Sequence, residues 1–253
     1  MLDKMQKNNI LICNDDGIKS NGLITLAERL AKKNNVLVVA PDDNRSACSH
    51  SLTIGKPIRL TEVDFIKGCK AYSISGTPVD CVKFAKLHFN DFNTQIVVSG
   101  INKAHNLGDD ILYSGTVAIA YEAAYYNYIA FAFSNFSYND CDFTKKAEYC
   151  EKIIDFLLPY STPKTIWNVN FPQTDDIKGV KITKLGYQIY TDRYEKVEEN
   201  SYLLVGELVS HGDNDENTDV KCVENGYISI TPLSYNKTDY KTLQVLQEKC
   251  IEL

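Results

Sequence analysis

The chain has 253 residues, of which 44% are hydrophobic and 24% charged, and its formal net charge is -6. This is enough apolar material for one substantial core, and the acidic balance disfavours a nucleic-acid polymer as partner. No apolar run approaches the roughly 20 residues that span a bilayer, and the first residues lack a secretory leader pattern, so we expect a cytoplasmic protein that binds no membrane.

The first predicted strand ends in two adjacent carboxylates. Residues 10–13 are apolar, and Asp15 and Asp16 follow them after Asn14. In open α/β sheets, ligands bind beyond the carboxyl ends of the strands. Neighbouring carboxylates repel each other unless a cation lies between them, and hard oxygen ligands suit magnesium, manganese or calcium. The pattern therefore indicates a divalent-cation site.

A strand–helix–strand unit comes next. Residues 23–33 have the apolar spacing of one helix face, and residues 36–40 read as a strand. Such a unit is a right-handed parallel crossover. The loop 41–46, which contains Ser46, therefore emerges at the same sheet edge as Asp15 and Asp16.

The next segments carry a well-marked helix start. Residues 51–60 and 70–74 look extended, and a helix is predicted from Thr77 to about residue 89, with Pro78 in its first turn. Asp80 can bond back across that turn, so a structural and a functional role are equally open to it. Residues 95–98 form a further strand, which brings Asn102 to a strand end.

A small hydroxyl-bearing segment precedes the following helix, predicted over residues 117–126. Ser114, Gly115 and Thr116 offer free N–H groups and a positive dipole end to an anion. An ordinary Ser114 N-cap is the equal alternative. The later predicted elements are a strand at 129–133, a helix at 144–158, strands at 166–171, 180–185, 202–208 and 227–232, and a closing helix at 241–250. Residues 187–201 form an exposed hairpin or arm, whose aromatic side chains either pack on another subunit or lie in solvent.

The eight cysteines show no CxxC pair and no zinc-type spacing. Cys13 lies in a strand, and Cys81 and Cys150 lie on apolar helix faces, so we expect small buried hydrophobes.

Three strand-end loops thus direct Asp15, Asp16, Ser46 and Asn102 toward one crevice. Carboxylate, hydroxyl and amide oxygens around one cation leave positions for water and phosphate, which indicates metal-assisted phosphoester hydrolysis.

Several motifs together resemble the SurE survival proteins, a family of metal-dependent nucleoside-monophosphate phosphatases. The matching segments, in the family's order, are residues 14–18 (NDDGI), 40–42 (APD) with 44–46 (NRS), 76–82 (GTPVDCV), 98–102 (VSGIN), 113–117 (YSGTV), 168–172 (NVNFP), 218–219 (TD) and 226–233 (GYISITPL). One departure is Tyr187-Gln188, where many relatives carry a basic pair. This departure makes the arm more aromatic and less cationic, which would affect how subunits pack and how tightly polyanionic substrates bind.

The resemblance implies one divalent cation per subunit, magnesium or manganese, on Asp15, Asp16, Ser46 and Asn102. It also implies an α/β fold, with a Rossmann-like three-layer α/β/α core and a mostly parallel sheet over about residues 1–160 of a single 253-residue domain. A C-terminal β-rich extension over about residues 165–253 would be exchanged between subunits of a homodimer or homotetramer. Family members hydrolyse 5'- and 3'-nucleotides, and some attack short polyphosphate.

Residues in and near the predicted crevice have expected roles in hydrolysis. We expect the substrate phosphate to meet the amides of Gly115 and Thr116, with hydrogen bonds from Asn106 and Ser114. A water polarised by the cation or by a free carboxylate oxygen of Asp15 or Asp16 would attack in line, and the sequence does not choose which carboxylate, if either, acts as the base.

Two other functions compete with this one. An aspartyl-phosphate phosphatase has a second Asp two residues after its nucleophile, whereas Gly17 stands there. A nucleotide-binding regulatory protein would bind its ligand in the same crevice without turnover.

A nicotinamide or flavin cofactor is disfavoured because no Gly-rich fingerprint follows the first strand. None of the four histidines lies in a nucleophile or metal motif, although His105 is close enough to Asn102 in sequence to contact substrate.

Overall fold

The computed structural model describes residues 7–136, 142–210 and 215–247. The strands are β1 Asn9–Cys13, β2 Asn35–Pro41, β3 Leu60–Val63, β4 Lys70–Ile74, β5 Ile96–Asn102, β6 Ile129–Ser134, β7 Ile166–Asn170, β8 Val180–Ile182, β9 Ile189–Tyr190, β10 Arg193–Glu198, β11 Ser201–Val205, β12 Leu208–Ser210 and β13 Ile228–Leu233. The α-helices are α1 Asn21–Leu30, α2 Pro78–His88, α3 Gly115–Tyr125, α4 Thr144–Leu157, α5 Asp219–Glu224 and α6 Tyr240–Gln247.

Nine strands form one mostly parallel sheet in the order β3-β4-β2-β1-β5-β6-β7-β13-β8. The pairs β3/β4 and β7/β13 are antiparallel, whereas β1, β2, β4, β5, β6 and β7 run parallel to their neighbours in the centre. The predicted α/β class with a mostly parallel sheet is confirmed. The sheet continues past residue 160 through β7, β13 and β8; the division of the chain into core and extension stays a prediction.

Helices cover both faces of the sheet, which gives the predicted three layers. Side chains alternate along β1: Ile10 and Ile12 join the apolar cluster beneath α1 and α4, and Leu11 and Cys13 join the one beneath α2 and α3. Because a strand surrounded in this way buries both of its faces, it reads as a continuous apolar run. This explains why β1 was recognisable in the sequence.

An ion pair between two helices reinforces one of these layers. Arg29 on α1 donates to Glu151 on α4 over 2.6 Å, and Lys33 lies 3.3 Å from the same carboxylate. The Glu151 side chain is only 4% exposed. Burial alone would raise its pKa, but hydrogen bonds and charge from Arg29 and Lys33 outweigh burial and lower the pKa below the usual value.

The start of α2 has the predicted capping box. Thr77 Oγ1 accepts from the Asp80 amide, and Asp80 accepts from the Thr77 amide over 2.8 Å. Asp80 also accepts from the amide of Thr53, and Thr77 donates to the carbonyl of Ser51. These bonds join residues 51 and 53 to the start of α2. Residues 51–59, which were expected to be extended, belong to no strand, and β3 begins only at Leu60.

The arm lies apart from the main sheet. β10 and β11 pair as an exposed antiparallel hairpin, as predicted, and β12 pairs with β9. The strand predicted over residues 202–208 is therefore divided, because the chain turns at residues 206–207 to bring β12 beside β9. The closing helix is described as far as Gln247; its predicted residues 248–250 lie outside the described residues.

Cys13, Cys81 and Cys150 are buried free thiols, as predicted. Two other cysteines, Cys141 and Cys250, lie outside the described residues. In the described part of the chain, no helix is both long enough and apolar enough to cross a bilayer.

Candidate active site

The predicted metal ligands meet in one cleft at the carboxyl edge of the sheet. Asp15 and Asp16 follow β1, Ser46 lies in the loop after β2, and Asn102 ends β5. All four line a cleft of about 370 Å³, which we call the strand-end cleft. The parallel topology brings them together because neighbouring strands end at the same edge.

Local hydrogen bonds hold the loop that carries the two carboxylates. Asn14 donates to the carbonyl of Gly17 and to Ser20 Oγ, and it accepts from the Gly17 amide. Gly17 has a φ of +95°, and a side chain there would lie 3.1 Å from the backbone of Asp43. The Arg45 amide donates to the Asp15 carbonyl over 2.7 Å. The loops after β1 and β2 are thus joined directly.

Asp15 is buried against the start of α3. Thr116 Oγ1 donates to Asp15 Oδ1 over 2.6 Å. Gly115 allows this approach, since a Cβ on it would lie 2.8 Å from Asp15 Cβ. Burial raises the pKa of Asp15 to about 6, the Thr116 hydrogen bond lowers it, and the charge of Asp16 raises it. Asp15 is therefore a rigidly held carboxylate. A bound cation would stabilise its negative charge against burial and against the neighbouring charge of Asp16.

Asp16 lies beside a lysine that the sequence analysis did not single out. Its Oδ2 accepts from the Lys103 amide over 3.3 Å. Burial raises the pKa of Asp16, and the charge of Lys103 acts in the opposite direction. Lys103 lines the strand-end cleft. Lys103 could have been identified from the sequence by its position next to Asn102, at the end of the same strand.

Asn102 is held at the end of β5 by its own amide group. Its Nδ2 donates to the carbonyl of Ala104 over 2.8 Å, which leaves Oδ1 as the oxygen suited to a cation. Just before it, Gly100 has a φ of +124°, and a Cβ there would lie 2.3 Å from the Phe133 carbonyl oxygen. Only glycine allows the strand to reach this position.

Ser46 is the exposed member of the set. Its amide donates to Asn44 Oδ1 over 2.8 Å, and Asn44 also lines the cleft. Asn44, Asp110 and Tyr113 are lining residues that sequence reasoning missed.

The donor set fits a hard divalent cation. Two partly desolvated carboxylates lie beside a hydroxyl and an amide oxygen, and such oxygen ligands suit magnesium or manganese. Within the described ranges, no group of three or more His, Cys, Asp or Glu side chains is arranged to hold a metal ion. A cation in this cleft would therefore use Ser46 and Asn102 in addition to the carboxylates.

The residues predicted to bind phosphate fall into two groups. Asn106 and Ser114 line the strand-end cleft, whereas Gly115 and Thr116 pack behind Asp15 and do not appear among its lining residues. Ser114 is the N-cap of α3, and its Oγ accepts from Val117. Thr116 is fully buried, and its hydroxyl serves Asp15.

Asn106 is held by several neighbours. Its Nδ2 donates to Ser134 Oγ over 2.6 Å, and its backbone bonds with Asn170 and Asn168. This network fixes the loop between β5 and α3. Its side chain thus has a structural contact in addition to its place in the cleft.

The histidines take no position in the strand-end cleft among the described residues. His50 contacts Glu122 over 3.0 Å, and His88 packs on Phe84. His105 lies beside the cleft, and burial lowers its pKa to about 4, with a smaller opposing effect from its hydrogen bond to Phe171. The fourth, His211, lies outside the described residues.

Comparison with known proteins decides the family. The family model described as Survival protein SurE matches residues 10–192. The chain belongs to the SurE family. It is 40% identical over 255 residues to the 5'-nucleotidase SurE of Caldanaerobacter subterraneus subsp. tengcongensis, covering 98% of this chain and 100% of that protein. The 5'-nucleotidase SurE of Clostridium beijerinckii is 40% identical over 245 residues, covering 93% and 96%.

A solved structure agrees with the fold. The crystal structure of the SurE protein from Aquifex aeolicus superposes with a TM-score of 0.81 at 35% identity, covering 94% of this chain and 98% of that one. The family recognised from the motifs and its α/β fold are thus confirmed.

Proposed function

We propose that this protein hydrolyses nucleoside monophosphates to a nucleoside and phosphate, with one magnesium or manganese ion bound per chain. The observation that carries the proposal is the meeting of Asp15, Asp16, Ser46 and Asn102 in the strand-end cleft. Relatives that share about 40% identity over almost the whole chain are named 5'-nucleotidases, which supports the same activity here.

The cation would be held by Asp15, Asp16, Ser46 and Asn102. When bound, it would neutralise charge on the phosphoryl oxygens and polarise the attacking water. Lys103, on the same cleft, adds a positive charge that favours an anionic substrate.

The chain's own groups orient the reaction. Ser114 and Asn106 face the cleft and can donate hydrogen bonds to the phosphate. Thr116 holds Asp15 in place rather than meeting substrate with its side chain. Water that attacks in line must lose a proton, and the strand-end carboxylates that can accept it are those of Asp15 and Asp16.

The test is phosphate release from a panel of nucleoside 5'- and 3'-monophosphates, with magnesium, manganese or a chelator. Wild type and Asp16→Asn are compared at matched metal. We expect metal-dependent release that falls at least 100-fold in the variant, because a ligand charge is lost. Equal turnover in both proteins would refute the assignment. Nucleotide binding without release under any metal would favour a regulatory protein.

We further propose that the chain forms a homodimer or homotetramer through the arm. The hairpin of β10 and β11 exposes Tyr194, Tyr202 and Leu203, which are 71%, 59% and 55% accessible. Aromatic and aliphatic side chains of this kind are enriched in subunit interfaces. Light scattering that shows a monomer at working concentration would contradict this. The cytoplasmic location stays a prediction.

A further inference from the structure

A second cavity adjoins the strand-end cleft. Its volume is about 820 Å³, within the range of small-molecule sites. Ala104 and Asp110 line both spaces, so the cleft and the cavity are direct neighbours. We call it the side cavity. The loop after β5 separates the two, with Asn106 facing the cleft and His105 and Leu107 facing the cavity.

Aromatic rings form one side of the side cavity. His105 and Phe136 lie with ring centroids 5.1 Å apart and planes inclined by 32°. His105 Nε2 lies 2.6 Å from the carbonyl oxygen of Phe171, so the proton is on Nε2 and Nδ1 remains an acceptor. The ring is thus oriented by the main chain. A neutral imidazole next to a phenyl ring is a surface on which a planar base can pack.

Polar groups also line the side cavity, and two of them, Gln188 and Tyr190, belong to the arm. Tyr190 Oη donates to Asp110 Oδ2 over 2.6 Å, and Gln188 Nε2 donates to the same oxygen. Gln188 Nε2 also lies 2.8 Å from Tyr190 Oη. These hydroxyl, amide and carboxylate groups match the hydroxyls of a ribose and the edge of a base.

The buried carboxylate of Asp219 joins the start of the arm to the loop after β5. Asp219 accepts from the amide of Gly108 over 2.9 Å and from the amide of Gly186 over 2.8 Å. The two glycines are in close contact, since a Cβ on Gly108 would lie 2.6 Å from the Gly186 carbonyl oxygen. The start of the arm and the loop that carries Asp110 are therefore joined at one point.

The charge of the side cavity selects against a second phosphate. Asp110 and Glu207 are among its lining residues, and the described residues that line it include no Lys or Arg. A phosphate is better placed in the strand-end cleft, where Lys103 lies. The neutral part of a phosphate ester is the part that suits the side cavity.

We propose that the side cavity binds the nucleoside part of the substrate, with the base against His105 and Phe136 and the polar atoms of the nucleoside facing Asp110, Tyr190 and Gln188. This rests on the proposed function, because the phosphate is taken to occupy the strand-end cleft. It makes Phe136 and Tyr190 specificity-determining residues.

The experiment compares two substrates and one inhibitor. Hydrolysis of adenosine 5'-monophosphate and of ribose 5-phosphate, which lacks the base, is measured with manganese, and free adenosine is tested as an inhibitor of ribose 5-phosphate hydrolysis. We expect Phe136→Ala to raise the inhibition constant of adenosine at least five-fold, the smallest factor expected for a lost base–aromatic contact. Its kcat/KM for ribose 5-phosphate should stay within two-fold of wild type. The matched control is Phe156→Ala, an exposed phenylalanine on α4.

Tyr190→Phe tests the polar side without removing the ring. We expect it to weaken adenosine inhibition about two- to ten-fold, the range for one lost hydrogen bond, while Tyr160→Phe, at an exposed tyrosine just after α4, has no effect. If both substrates are hydrolysed but adenosine does not inhibit, or if each variant changes both substrates equally, the side-cavity proposal is overturned. If neither substrate is hydrolysed with any metal, the proposed function itself is overturned.

Discussion

Replacing Thr116 by valine tests how Asp15 is positioned. The substitution keeps the shape of the side chain and removes the hydroxyl that donates to Asp15 Oδ1 over 2.6 Å. A hydrogen bond to a charged group contributes about 1.5–3 kcal/mol, so we expect kcat/KM for a nucleoside monophosphate to fall about 10- to 150-fold. Manganese affinity, measured by calorimetric titration, should fall in the same direction.

Two controls separate positioning from stability. Thr116→Ser keeps the hydroxyl and should recover most of the activity. Thr231→Val removes another buried threonine hydroxyl, which bonds to Thr183 over 2.7 Å outside the strand-end cleft. It should lower stability without changing manganese affinity. Wild-type activity and manganese affinity in Thr116→Val would refute the positioning role of Thr116.

Three other substitutions probe the fold and the site. Gly115→Ala places a Cβ 2.8 Å from Asp15 Cβ; we expect it to cost about 1–3 kcal/mol in chemical denaturation, as overpacking does, and to abolish most phosphate release. Glu151→Gln should destabilise by about 1–3 kcal/mol at pH 7. Because the folded-state pKa of Glu151 is lowered, this difference should be fully present above about pH 4.5 and shrink at lower pH; a pH-independent difference would contradict the ion-pair account. Asp219→Ala leaves the amides of Gly108 and Gly186 without their acceptor, so limited proteolysis should cut the arm faster than in wild type, and an unchanged cleavage rate would argue against that junction.

The strand-end cleft could be predicted because its signals are local. The apolar run of β1 ends just before Asn14 and Asp15, and the strands that deliver Ser46 and Asn102 also contain apolar runs, at residues 36–40 and 96–98. The rule that parallel strands share one carboxyl edge supplied the rest. The capping box of Thr77 and Asp80 was predictable for the same reason, since its two residues are three apart.

The partners within the site could not be predicted in this way. Thr116 and Asp15 are 101 residues apart, and nothing in either segment specifies a hydrogen bond between their side chains. The sequence suggested a phosphate contact only for the Thr116 amide, and the hydroxyl's bond to Asp15 became visible only in the structure. The side cavity depends on a contact between Tyr190 and Asp110, which are 80 residues apart. The bonds that join Ser51 and Thr53 to the cap of α2 likewise span 26 and 27 residues.

The most direct test of the account is manganese binding and phosphate release measured on the same samples. Electron paramagnetic resonance counts bound manganese while adenosine 5'-monophosphate is hydrolysed, for wild type and Asp16→Asn. We expect one manganese ion per chain in wild type, with release proportional to occupancy, and loss of both in the variant. Release that persists in chelator, or unchanged occupancy in Asp16→Asn, would contradict a catalytic cation in the strand-end cleft.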